Sequence, residues 1–316
     1  AGLAAGDAAF SKLLDLPRYT KTADELLTKR FLHIPAGPGH VSNNWVGDWR
    51  PGELMPEIVN LKTGEHEFDT VNAARTWKEY LGPFGKGCDN LAMAYLLTGE
   101  EKYASKALEL FRLYARQYGE LPWYSLFDPP WNSGPATLAA SRVAGTSTYG
   151  SNWYFKGHCV LLSAMADSPT WSAKDWQDIY QGFVLPYATE IIKFPGGISN
   201  MTDITNHNLL LLGLTFRDPH LVYHALYSDP GLLRRLGDID ADGFSSEGRP
   251  ISYHYAAMSE YLPALVYLEH AGLALKFPRE RLLAALRMPF RRAALTGRVP
   301  NAGDCGRYMG VGPQSL

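Results

Sequence analysis

The chain has 316 residues, 46% of them hydrophobic and 20% charged, with a formal net charge of −2. Such a length accommodates a sizeable core, and the near-neutral balance excludes wholesale electrostatic capture of nucleic acid or of an acidic membrane surface. No run approaches about 18 uncharged apolar residues, which excludes a spanning helix.

Apolar positions recur at helical spacing along most of the chain. Helices are expected at 7–16, 22–32 and 69–82, with an irregular, Trp-containing stretch at 33–66 between the last two. A short helix over 89–98 ends at Gly99, and Glu100 and Glu101 suit the first turn of the next. There Tyr103, Ala107, Leu110, Phe111 and Tyr114 line one face, with Lys102, Glu109 and Arg112 between them. The rhythm breaks at 119–151, which holds Trp123, Asp128, Pro129, Pro130, Trp131, Asn132, Arg142 and Tyr149. It resumes at 152–167. Ser172 with Asp175 forms a capping-box pattern opening a segment to Phe194, interrupted near Pro186. Helices follow at 202–217 and 219–228, then an acidic, glycine-containing stretch at 237–252, then helices at 253–271 and 278–296.

Leu209–Leu212 and Val160–Met165 are apolar all round, the pattern of helices buried on every side, whereas Glu100–Gln117 is one-faced. Buried helices alternating with amphipathic ones imply two layers, so the expected class is all-α, an (α/α) toroid in the form of an incomplete barrel. A helical solenoid is the structural rival, but no repeat of fixed length supports it. Long irregular segments in a compact domain are usually functional, and Trp45, Trp49, Trp123 and Trp131 on such segments suit the apolar faces of sugar rings. Cys88, Cys159 and Cys305 are odd in number and lack metal-type spacing, which signals neither a disulfide framework nor a zinc site. The first residue is Ala, compatible with a processed, secreted or periplasmic protein.

Two constellations carry the chemistry. In the first, Asn200, Thr202, Asp203, Asn206, His207 and Asn208 run directly into the Leu-rich helix. Polar residues at such a mouth sit where free N–H groups favour anions; Thr202, Asp203 and Asn206 also read as caps, and His207 as a hydrogen-bonded core histidine. In the second, Asp242-Gly243, Glu247-Gly248-Arg249 and Tyr253-His254-Tyr255 lead into another apolar helix. The plainer reading of this one is a loop followed by core tyrosines.

Together they resemble the heparinase II/III-like and alginate-lyase families, which carry an Asn-His pair at the start of one inner helix and an Asp-Gly, Glu-Gly, Tyr-His stretch before a later one. Leu97-Thr-Gly-Glu-Glu-Lys-Tyr103 and Gly303-Asp304-Cys305 extend the resemblance over about residues 70–310. The spacing from Glu247-Gly248 to Tyr253 is longer than usual, so Tyr253 and Tyr255 compete for one position. Residues 1–300 are expected to form the toroid, and 301–316 the start of a linker toward the families' β-sheet domain, which is expected to be absent from this chain. The resemblance implies no cofactor here and places any structural divalent metal in that β domain.

The implied activity is cleavage of a uronic-acid-containing polysaccharide, of alginate or glycosaminoglycan type, by β-elimination. The C5 proton beside a charged carboxylate is a very weak acid, so that charge must first be offset. The resemblance gives Asn206 this role, with His207 assisting or acting as base. Tyr253 or Tyr255 would protonate the leaving oxygen. A tyrosine acting as base needs cationic neighbours, for which Arg249 and His254 are near in sequence. Trp123, Trp131, Arg142, Tyr149, Glu247, Arg249 and His254 are the expected substrate-binding residues, Arg142 by a bidentate fork to a carboxylate. The expected partner is an acidic polysaccharide, with no nucleic acid and no membrane. A glycoside hydrolase using Asp128, Asp203, Asp242 or Glu247 and a non-catalytic carbohydrate-binding toroid are the alternatives.

Overall fold

A computed structural model describes Asp24 and residues 45–48, 57–60, 62–67, 87–121, 124–125, 140–141, 148–193, 200–245, 251–292, 298–300 and 308–310. The expected helices at 7–16, 22–32 and 69–82 lie outside these residues, apart from Asp24, which is helical. The chain divides into two units, Ala1–Tyr187 and Ala188–Leu316.

In the N-terminal unit, helix α1 covers 87–98 and closes where the Gly99 N–H donates to the Tyr95 carbonyl. Helix α2 (Glu101–Gln117) follows at once and leaves only a narrow stripe in water: Lys102, Ser105, Glu109, Arg112 and Arg116. Its other faces bury Tyr103, whose hydroxyl donates to Asp24, and set Phe111 and Tyr114 against α3 (Thr148–Ala164) and the segment that begins at α4 (Ala173–Ile179). The core so formed is aromatic. Tyr114 and Phe183 have ring centroids 4.8 Å apart, Phe155 and Tyr187 4.6 Å, and Phe183 stacks on Tyr187 with planes 9° apart. Each buried ring contributes roughly 1.5–3 kcal/mol of transfer free energy. His158 is fully enclosed among these rings, hydrogen-bonded to the Tyr114 hydroxyl at 3.1 Å, and burial holds its imidazole down to about 3.

The capping box at α4 is present in full. Ser172 accepts from the Asp175 N–H while the Asp175 carboxylate accepts from the Ser172 N–H. After it the helix widens into a π turn over Tyr180–Val184 and resumes as α5 (Leu185–Lys193), inside which the unit boundary falls. Pro186 explains the widening: it has no N–H for the preceding turn and its ring crowds the carbonyl there. The sequence marked this position as an interruption; the chain absorbs it as a bulge instead.

In the C-terminal unit, α6 (Asn200–Phe216) is buried at every position from Thr202 to Gly213. The four leucines are each at most 4% exposed, as their unbroken run predicts. Helix α7 (Pro219–Tyr227) packs on α6 through Leu221, Ala225 and Leu226 while Tyr223 and Tyr227 face solvent, so a buried helix is followed by a one-faced one. The close α6–α7 approach needs Gly213: a Cβ there would lie 2.8 Å from the Val222 backbone nitrogen. Between them Arg217 turns the chain with φ of 56°, and Asp218 caps α7 by accepting from the His220 N–H at 2.8 Å. A short helix that periodicity does not reveal, α8 (Leu232–Gly237), comes next, then α9 (Ile251–His270) and α10 (Arg279–Arg292).

Two stretches expected to be irregular, 33–66 and 119–151, and the junction with the expected linker at 301–316 contain short antiparallel strands. In the N-terminal unit β1 (Trp45–Asp48), β2 (Glu57–Asn60) and β3 (His66–Glu67) form one sheet, and β4 (Tyr124–Ser125) pairs with β5 (Ala140–Ser141). In the C-terminal unit β6 (Arg298–Pro300) pairs with β7 (Tyr308–Gly310). These strands are two to four residues long, too short for period-two alternation to stand out in the sequence.

Candidate active site

The polar residues at the start of α6 are buried, and Asp203, Asn206 and His207 meet partners from other helices or turns of the same unit. Asp203, a cap by its position in the sequence, is half of an ion pair in the structure. Arg235 on α8 donates to it twice, from Nε at 2.6 Å and from a terminal nitrogen at 2.9 Å, and the Tyr261 hydroxyl on α9 adds a third bond at 3.1 Å. Neither side chain of the pair has any exposed surface. Burial pushes the Asp203 carboxyl up and the Arg235 guanidinium opposes that shift. Both carboxylate oxygens are taken by Arg235, with Tyr261 on one of them, which removes Asp203 from the hydrolase alternative.

One turn further along α6, the Asn206 amide donates to the Pro230 carbonyl at 2.8 Å and is 5% exposed. One of its two N–H groups is therefore committed to holding the 228–231 turn. His207 follows, 2% exposed. Its Nδ1 lies 2.7 Å from Oε2 of Glu260 on α9, a carboxylate buried to the same extent. The approach lies off the N–H axis of a directional hydrogen bond, so the contact is a close Coulombic one. The Tyr267 ring stands edge-on to the imidazole, centroids 5.5 Å apart. His207 Nε2 is also buried, and none of the described residues hydrogen-bonds it.

Tyr253 and Tyr255 both lie in the first turns of α9 and are half-buried. They point to different sides of the helix. Seven residues separate Tyr253 from Glu260 and seven more separate Glu260 from Tyr267, a recurrence that keeps all three within about 20° per step of one face. Tyr255 lies roughly 200° around from Tyr253, with its ring centroid 6.1 Å from that of His254. His254 corrects an expectation. It is completely buried, its Nε2 sits 3.0 Å from the Ala285 carbonyl on α10, and burial lowers its pKa, so it stays neutral rather than serving as the cationic neighbour of a tyrosine. Gly243 has a comparably structural reason: φ is 92°, and a Cβ would lie 2.4 Å from the Ala284 carbonyl carbon.

Trp123, Trp131, Arg142, Glu247 and Arg249 lie outside the described residues, as does Asp128; Tyr149 lies in the first turn of α3 with its side chain undescribed. Asp242 is exposed. Among the described residues no three His, Cys, Asp or Glu side chains converge as for a metal ion, and Cys88 and Cys159 are buried free thiols.

Sequence reasoning missed Glu260, Arg235, Tyr261 and Tyr267. A signal did exist for the first: Glu260 is the one charged residue in the middle of an otherwise apolar helix, which demands a buried partner.

The backbone that carries this arrangement is shared with solved structures. A tyrosine-to-phenylalanine variant of alginate lyase A1-III, complexed with tetrasaccharide, superposes with a TM-score of 0.54 at 15% identity, covering 88% of this chain and 75% of that one. A histidine-to-alanine variant of the same lyase, also with tetrasaccharide, gives 0.53 at 16% identity over 86% and 74% of the two chains. The fold is that of the alginate lyases. An alginate lyase from Bacteroides ovatus agrees, with a TM-score of 0.50 at 14% identity over 89% of this chain and 77% of its own. The all-α toroid class expected from the helix pattern is thereby borne out, with the short strand pairs as additions to it. No protein-family model matches the sequence, and no curated protein matches it by sequence search.

Proposed function

We propose that the protein is a polysaccharide lyase acting by β-elimination on a uronic-acid-containing polymer. The observation that carries this reading is His207: a buried imidazole two turns into an enclosed helix, with a carboxylate against one ring nitrogen and no described partner on the other. The alginate lyase of like fold was captured with tetrasaccharide in histidine and tyrosine variants, the two residue types this site offers.

The chemistry then runs as follows. The Asn206 amide offsets the uronate carboxylate with its remaining N–H so that negative charge can build at C5. Where the C5 proton and the leaving oxygen lie on opposite faces, His207 Nε2 removes the proton; where they share a face, the tyrosine does so. The C–H electron pair becomes the C4–C5 double bond, the C4–O bond breaks, and the departing oxygen takes the tyrosine's proton. Tyr253 is favoured over Tyr255 because it shares the helix face of Glu260 and Tyr267, about 10 Å along the axis from Glu260.

The test is a panel of alginate, glucuronan, hyaluronan, chondroitin and heparan-type chains, assayed by the ultraviolet absorbance of the unsaturated uronate. At least one should yield it, and Asn206→Ala, His207→Ala and Tyr253→Phe should each lower kcat by about 10²-fold or more while Tyr255→Phe retains most activity. Reducing ends released without the absorbance would mean hydrolysis and refute the proposal.

A further inference from the structure

We infer that Glu260 is the positioning residue of this site, fixing the orientation and tautomer of His207. The inference rests on the lyase reading for its consequence, though the pairing itself can be tested without it. Glu260 Oε2 stands 2.7 Å from His207 Nδ1, and each side chain is 2% exposed. A carboxylate at that distance and burial keeps the ring proton on Nδ1 and leaves Nε2, with its lone pair, as the nitrogen that meets the sugar and can take the C5 proton. The Tyr267 ring packs edge-on against the imidazole, centroids 5.5 Å apart, and restricts its rotation.

The charged groups around the imidazole support this assignment. Asp203, one turn earlier on α6, is occupied by Arg235 and Tyr261, so neither that carboxylate nor that guanidinium is available to His207. Glu260 alone among these groups is within ion-pair distance of the ring. Its place in the chain fits the same purpose: a single helix, α9, delivers Tyr253, Glu260 and Tyr267 on one face, so proton donor and histidine orienter are held in fixed register, two helical turns apart.

The experiment pairs ¹⁵N NMR of the imidazole with kinetics on Glu260→Met and Glu260→Asp. Wild type should carry the neutral-ring proton on Nδ1. Glu260→Met should shift the proton toward Nε2 and lower kcat at least about tenfold with KM within about threefold. Glu260→Asp should restore the Nδ1 tautomer and most of kcat, a rescue that a merely space-filling role would not give. Should Glu260→Met fail to fold by circular dichroism, Glu260→Gln carries the same two readouts. An unchanged tautomer together with wild-type kcat in the Met variant overturns the inference. A tautomer that shifts in a protein without elimination activity on any polymer supports the pairing and overturns the lyase reading instead.

Discussion

The buried Asp203–Arg235 pair offers the most stringent test of how the site-bearing helix is held. Replacing Asp203 by Leu leaves a guanidinium with no exposed surface and strips it of hydrogen bonds at 2.6 and 2.9 Å. Arginine cannot shed its charge, so its desolvation is no longer offset by Asp203, and the expected loss is about 3–5 kcal/mol at neutral pH. Arg235→Met is different. Asp203 can neutralise itself, and burial already pushes its carboxyl up even with Arg235 present. With a folded-state pKa above its unfolded value, that carboxyl favours the native state most at low pH, and the benefit is lost as pH rises through the folded pKa. Arg235→Met should therefore be less destabilised at pH 5 than at pH 7, whereas the Asp203→Leu deficit should change little. The double variant Asp203→Leu, Arg235→Met removes both charges and should recover to within about 1–2 kcal/mol of wild type, giving a coupling energy above about 2 kcal/mol. Urea unfolding followed by circular dichroism at the two pH values measures all of this. If either single variant sits within about 1 kcal/mol of wild type, or if the double loses the sum of the singles, the pair does not act as a closed unit and the argument fails.

Three further outcomes are expected. His158 has its pKa depressed to about 3, so the native state refuses a proton that the unfolded chain accepts below about 6.5; its contribution is present above that pH and lost as pH falls, by up to about 1.4 kcal/mol per unit, and His158→Gln should flatten the acid limb of a stability–pH curve. Asp175→Ala removes the capping box and the 2.7 Å contact with Arg112, costing about 1–2 kcal/mol; because the Asp175 carboxyl is held down to about 2, first by Arg112, the wild-type contribution should disappear only as pH falls from about 4 toward 2. Arg217→Gly, at the residue with φ of 56°, should raise thermal stability by about 0.5–1 kcal/mol, since Gly meets no Cβ penalty there; no gain in calorimetry would mean that the turn is not strained.

Much of this architecture is legible in the residues alone. Ser172 with Asp175 opens α4, Asp218-Pro219 opens α7 and Gly99 closes α1, because caps and breakers act through backbone groups within a few positions of themselves. The leucine run made α6 an interior helix for an equally local reason: an apolar surface on every side has to be covered on every side. The mouth of α6 was likewise visible as a cluster of polar residues next to that run.

What the cluster does was decided by packing. Asp203 reads as a cap from its position, yet its partners are Arg235, 32 residues on, and Tyr261, 58 residues on. His254 reads as a cation beside two tyrosines, yet α10 covers it and burial keeps it neutral. His207 meets Glu260 only because two helices pack at one particular register. Periodicity states which face of a helix is buried; which side chain lies opposite, and therefore which charge is offset and which proton is held, depends on the rotation and offset of one helix against the next, and that information exists only in three dimensions.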